Sequence, residues 1–125
     1  MTPRVELLWF AGCANHPAAR RLLEQAIAEI RPGVSIIDLD ATDPQAAGRL
    51  RFPGSPTIRV DGRDIDPSFV DPGDYTPRCR LYRTADGLRG LPERRWIEDA
   101  LRAASAAHAA NRRGASVPRQ AGLSR

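Results

Sequence analysis

Residues 5–30 read VELLWF, AGCANHP and AARRLLEQAIAEI, and the fold class follows from how these three pieces are divided. Val5 to Phe10 is short, apolar and bounded by Pro3 and Gly12, the pattern of a buried strand. Ala19, Leu22, Leu23, Ala26, Ile27 and Ile30 recur at helical spacing, so they mark one face of an amphipathic helix. Pro17 belongs in its first turn, where a missing N–H costs nothing, and Pro32-Gly33 ends it. Between strand and helix sits a turn that carries Cys13, Asn15 and His16.

The same reading extends outward. Val34 to Asp40 is a second strand, and Asp43-Pro44 opens a short helix that runs to about Arg51. Phe52-Pro53-Gly54-Ser55-Pro56 is a turn. Thr57–Val60 and Arg63–Asp66 flank Asp61-Gly62, a strong hairpin signal. Residues 67–91 are rich in Pro, Gly and Asp, with one extended piece at Cys79–Arg83. Pro92 starts a last helix with Trp96, Ile97, Ala100, Leu101 and Ala104 on its apolar face. The first two strands and the helix between them form a right-handed parallel unit, to which the hairpin adds antiparallel strands. The expected class is α/β, a central mixed sheet of about four strands flanked by helices. Its domain spans residues 1–111, followed at 112–125 by a disordered, Arg-rich tail.

The chain has 125 residues, 42% hydrophobic and 27% charged, the balance of one globular domain. No apolar run approaches the roughly 20 residues that cross a bilayer, and no secretory signal pattern opens the sequence. A cytoplasmic, non-membrane protein is expected. The net charge of +4 comes from 19 Arg against 15 acids. Four of those Arg (112, 113, 119 and 125) lie in the tail, leaving the domain neutral. The basicity therefore belongs to the tail and gives no nucleic-acid platform.

Cys13 is the strongest chemical candidate. A cysteine at a helix N-terminus meets the positive end of the macrodipole and unpaired N–H groups, both of which favour thiolate, the reactive and metal-binding form. Its polar flanks place it in a surface turn, and His16 would add a positive charge or a nitrogen ligand. The alternative is a small buried apolar filler. Asp61, Asp64 and Asp66 alternate along the hairpin as a solvated face. Trp9 and Trp96 are core residues, and His108 is inert.

Cys13 after the first strand, Ser55-Pro56-Thr57 before the hairpin, and the element order together resemble the thioredoxin-like superfamily. The motif Cys13-Ala14-Asn15-His16 lacks that superfamily's second cysteine. The resemblance implies a cis Pro56, a platform at Ser55 and Pro56 where an extended disulfide-bearing protein docks by its backbone, and Cys13 as nucleophile. It also brings Cys79, the other cysteine, near Cys13 as resolving thiol; as an unrelated strand thiol, Cys79 would alternate with an outward-facing Arg80. A reducing cytoplasm makes such a pair a redox or sensing device. The implied function is thiol–disulfide redox chemistry.

A second resemblance runs through Gly12-Cys13-x-Asn15-His16, through Arg51-Phe52-x-Gly54-Ser55-Pro56-Thr57-Ile58-Arg59-Val60-Asp61-Gly62-Arg63, and through Cys79-Arg80-x-Tyr82-Arg83-Thr84. The string is similar to small bacterial thioredoxin-like proteins often labelled alkylmercury-lyase-like. It implies a small thiol or organometal substrate, with Asp71 or Asp74 as the acid. Cys13, His16 and Cys79 would then form a soft-metal set for Hg, Cu or Zn. A third expectation is a non-catalytic, partner-binding module.

Overall fold

The computed structural model describes residues 2–115 and the side chains of 2–105. Its elements are β1 (Val5–Trp9), α1 (His16–Ile30), β2 (Ile36–Asp40), α2 (Pro44–Arg49), β3 (Thr57–Val60), β4 (Arg63–Asp64), β5 (Tyr82–Thr84), β6 (Gly87–Arg89) and α3 (Arg94–Ala115). Four strands form a mixed sheet in the order β2-β1-β3-β4, and β5 pairs with β6 separately. β1 runs parallel to β2, from Val5 beside Ile36 to Trp9 beside Asp40, and antiparallel to β3, from Val5 beside Val60 to Leu8 beside Thr57. The mixed α/β architecture is the one expected.

β1 reads as a continuous apolar run because both faces of the sheet are covered. Val5 and Leu7 point to one face, among Leu23, Ala26 and Ile27 of α1 and Trp96, Ile97 and Leu101 of α3. Leu8 points to the other, against Ala41, Ala47 and Phe52. Glu6 shares that second face and is also buried, with its carboxylate taking Arg4 Nε at 2.8 Å. Asp61 and Gly62 both adopt positive φ, 52° and 82°, the pairing a two-residue hairpin turn requires. Among the described residues, no helix is long and apolar enough to cross a membrane.

Two expectations are corrected. The 67–91 region forms a hairpin, β5–β6, rather than one extended piece, with Thr84 opposite Gly87 across its turn. Three-residue strands are too short to show a period of their own; this one is held by Tyr82, fully buried and 6.2 Å from the Trp96 ring. The last helix also runs through Gly114 to Ala115, beyond the expected boundary at residue 111. The alanine-rich stretch before it has the highest helix propensity of any composition, which outweighs one glycine. The rest of the expected tail lies outside the described residues, as does the side chain of His108.

Candidate functional site

The candidate site is the end of the sheet where β1 stops and β3 begins. The β1–α1 turn is drawn tight by the Cys13 N–H, which donates to Phe10 O at 3.0 Å, while Ala11 N–H donates to Thr42 Oγ1 at 2.8 Å. Asn15 caps α1 with its backbone position but without a side-chain capping bond. Its amide is instead packed against Gly90 at the foot of α3, where a Cβ would fall 2.1 Å from Asn15 Nδ2. Cys13 is only 8% exposed, although Gly12 and Ala14 on either side are exposed. The expected surface position is therefore corrected: the turn is at the surface, but its cysteine points inward.

His16, the first residue of α1, is half-buried. Its ring stacks on Trp9, with centroids 4.4 Å apart and planes within 8°. Nε2 lies 3.7 Å from Asp38 Oδ1, and Arg20 also pairs with Asp38. Burial, and then the Arg20 charge, hold the imidazole below its ordinary 6.5, with Asp40 pulling weakly the other way. His16 is therefore neutral at pH 7, and Nε2 is buried with no hydrogen-bond partner. Trp9 is part of this surface stack rather than the core proper: it is half-buried, and its Nε1 donates to Asp38 at 2.9 Å.

A proton titration tests this placement. The His16 signal, assigned by its loss in His16→Gln, is expected to titrate below 6.5 in the folded protein. A depressed folded value means the unfolded chain binds more protons. His16 thus contributes stability that is complete above the unfolded value and is lost as pH falls through that range. A midpoint at or above 6.5 would contradict the burial of this ring beside Arg20.

At the same end of the sheet, the Pro53–Thr57 loop holds the Ser55–Pro56 peptide in the cis form, as the resemblance implied. The chain segment at Arg78–Arg80 lies along this loop. Ser55 N–H donates to Arg78 O at 2.8 Å, and Arg80 N–H donates to Ser55 O at 2.9 Å, making a parallel bridge between Ser55 and Cys79. Thr57 Oγ1 donates to Gly54 O at 2.6 Å, Arg78 Nε to Pro53 O at 3.4 Å, and the Tyr82 hydroxyl to Pro56 O. Ser55 is fully buried, and its own Oγ has no partner. Both main-chain bonding groups of Ser55, the expected docking platform, are thus engaged within the protein.

The segment is also turned over relative to expectation. Cys79 is exposed and Arg80 faces inward. The Arg80 guanidinium binds Asp64 through two contacts, 2.7 and 3.0 Å, donates to Thr57 Oγ1 at 2.9 Å, and lies 3.8 Å from Asp66. It stacks over Tyr82 at 4.3 Å. Asp64 and Asp66 are consequently buried partners of a buried cation, not a solvated face. A buried arginine requires such carboxylates. The sequence held one clue, since Arg80 and Tyr82 share a parity opposite to Cys79, Leu81 and Arg83. Which parity points inward depended on where the carboxylates lay.

Both thiols are free, and they do not lie near each other. Among the described residues, no group of three or more His, Cys, Asp or Glu side chains is arranged to hold a metal ion, so Cys13, His16 and Cys79 do not assemble as a ligand set. Asp71 is a poor proton donor. The Tyr75 hydroxyl, Arg51 and the Gly73 N–H bind its carboxylate and hold it down to about 2. Asp74 is exposed and paired with Arg78. No family model matches the chain, and no curated protein matches it.

Proposed function

We propose that this chain is a thioredoxin-like thiol protein whose reacting group is Cys13 and whose chemistry is thiol–disulfide exchange. The observation that supports the reading is the position of Cys13 in the turn from β1 into α1, at the same end of the β1–β3 pair as the Pro53–Thr57 loop that leads into β3. A cysteine just ahead of a helix N-terminus meets the positive end of the helix macrodipole, which favours the thiolate that exchange requires. In the exchange, Cys13 Sγ attacks one sulfur of a disulfide. A mixed disulfide forms, the original S–S bond breaks, and the other sulfur leaves as a thiolate. A second thiol then repeats the displacement and returns Cys13 to its reduced state.

Cys79, distant from Cys13 and pinned by its backbone to Ser55, does not supply that second thiol in this arrangement. It comes from solution, as a small thiol of the kind a reducing cytoplasm provides. The test is oxidation by glutathione disulfide followed by intact-mass analysis. The reading expects one glutathione on Cys13, exchange activity retained in Cys79→Ser, and exchange abolished in Cys13→Ser. If Cys13→Ser exchanges at the wild-type rate, Cys13 is not the reacting group. If a Cys13–Cys79 disulfide forms instead, the resolving thiol is internal.

A further inference from the structure

We infer that the groove between the β3–β4 hairpin and α3 binds a free α-amino acid with a large apolar side chain. The site is independent of the exchange reading: none of the residues that line it belongs to the β1–α1 turn or the Pro53–Thr57 loop. Its volume is about 410 Å³, within the range of small-molecule sites. Val60 and Ile65 contribute to one wall, and Trp96, Ala100 and Ala104 of α3 to the other. The main core opens to solvent here. Val60, Ile65, Trp96 and Ala104 keep 5%, 5%, 9% and 7% exposure, whereas Val5, Leu7, Ile58, Ile97 and Leu101 of the same cluster keep 0%. An apolar side chain laid in the groove covers that surface, and its removal from water favours binding.

The rim carries charges of both signs. Arg63 lies opposite Val60 in the hairpin register, and cross-strand partners project to the same face of a sheet. The Arg63 side chain therefore leaves β4 on the side where Val60 packs with Trp96 and Ile97 of α3. Among the described residues, no carboxylate pairs with its guanidinium. Its hairpin neighbours Asp64 and Asp61 bind Arg80 at 2.7 Å and the Arg4 N–H at 2.8 Å. On the α3 wall, Asp99 has Arg102 at 3.7 Å, with both side chains well exposed. Arg63 and Asp99 thus bring opposite charges to the two walls of one cavity without pairing to each other. A simple anion would meet Asp99, and a simple cation would meet Arg63. A zwitterion answers both, with its carboxylate on the guanidinium and its ammonium on the aspartate. An α-amino acid holds these two groups on one carbon and leaves its side chain free to enter the groove.

The test is a titration of the isotope-labelled full chain with L-phenylalanine, read by amide and tryptophan indole shifts. Saturable shifts are expected at Arg63, Ile65, Trp96, Asp99 and Ala100, with half-saturation at about 1 mM or below, the scale for a ligand of about a dozen heavy atoms. Hydrocinnamate, which lacks the ammonium, and phenethylamine, which lacks the carboxylate, should bind at least about fivefold more weakly, the scale of one exposed ion pair. Arg63→Gln, at an exposed position, should weaken phenylalanine by the same factor and leave phenethylamine unchanged. The inference is overturned by the absence of saturable shifts at the groove, by either analogue binding as tightly as phenylalanine, or by unaltered phenylalanine affinity in Arg63→Gln.

Discussion

Arg80→Met is expected to lower the unfolding free energy by about 3–5 kcal/mol, the cost of leaving a buried carboxylate without its counter-charge. The loss falls on Asp64, whose side chain is 3% exposed and whose two oxygens accept from the guanidinium at 2.7 and 3.0 Å. Thr57 Oγ1 loses its donor as well, and the Tyr82 ring loses the cation that stacks on it at 4.3 Å. Urea unfolding would show the effect as a fall in midpoint with an unchanged slope. The double variant Arg80→Met/Asp64→Leu should recover much of the loss, because removing both charges also removes both desolvation penalties. Recovery stays incomplete, since Asp66 remains buried nearby. A single-variant cost below about 1 kcal/mol is what a solvent-exposed pair would give and would contradict this burial.

The second large effect is expected at Gly54. Its φ of +135° lies where L side chains rarely settle, and an added Cβ would stand 2.8 Å from Arg80 Cβ, 3.2 Å from Cys79 O and 3.3 Å from Arg80 Cα. None of these atoms is the free end of a side chain, so the clash cannot be relieved by a rotamer change. Gly54→Ala is expected to cost about 2–4 kcal/mol, from backbone strain and overpacking together. It should also push the 78–80 segment off the loop, so that the amides of Ser55 and Arg80 exchange with deuterium faster. Gly33→Ala is the informative contrast. That residue also has positive φ, +95°, but an added Cβ meets nothing within 4 Å. It should carry the conformational cost alone and leave those two amides unaffected. Equal losses at the two glycines would mean that the contact with Arg80 is not there.

These two sites show where the sequence could be read and where it could not. The β1–turn–α1 unit was legible because periodicity and Pro and Gly punctuation act locally: Ala19, Leu23, Ala26 and Ile27 face the core as their spacing requires. Asp43 capping α2 through Ala46 N–H, and the Asp61-Gly62 turn, were legible for the same reason. Alternating Asp64 and Asp66, by contrast, look the same in sequence whether they face water or a buried arginine. Their role was decided by Arg80, sixteen residues beyond Asp64. Cys13 shows the same limit. Its polar neighbours identified a turn correctly, but a turn's exposure says nothing about which single side chain is directed inward.

The sequence by itself determined most of the elements outside residues 67–91: the strands and helices of the main sheet, their apolar faces, the turns between them, and that the chain carries two cysteines far apart along its length. Those properties follow from backbone and side-chain chemistry within a few residues. Only the tertiary structure decided that Arg80 turns inward and Cys79 outward, and that both main-chain bonding groups of Ser55 pair with the 78–80 segment. It also decided that His16 stacks on Trp9 beside Asp38, and that the two thiols stay apart. Each of these depends on partners brought from distant positions, and hydrogen-bond satisfaction and charge pairing in a buried space are settled only once all the partners are in place.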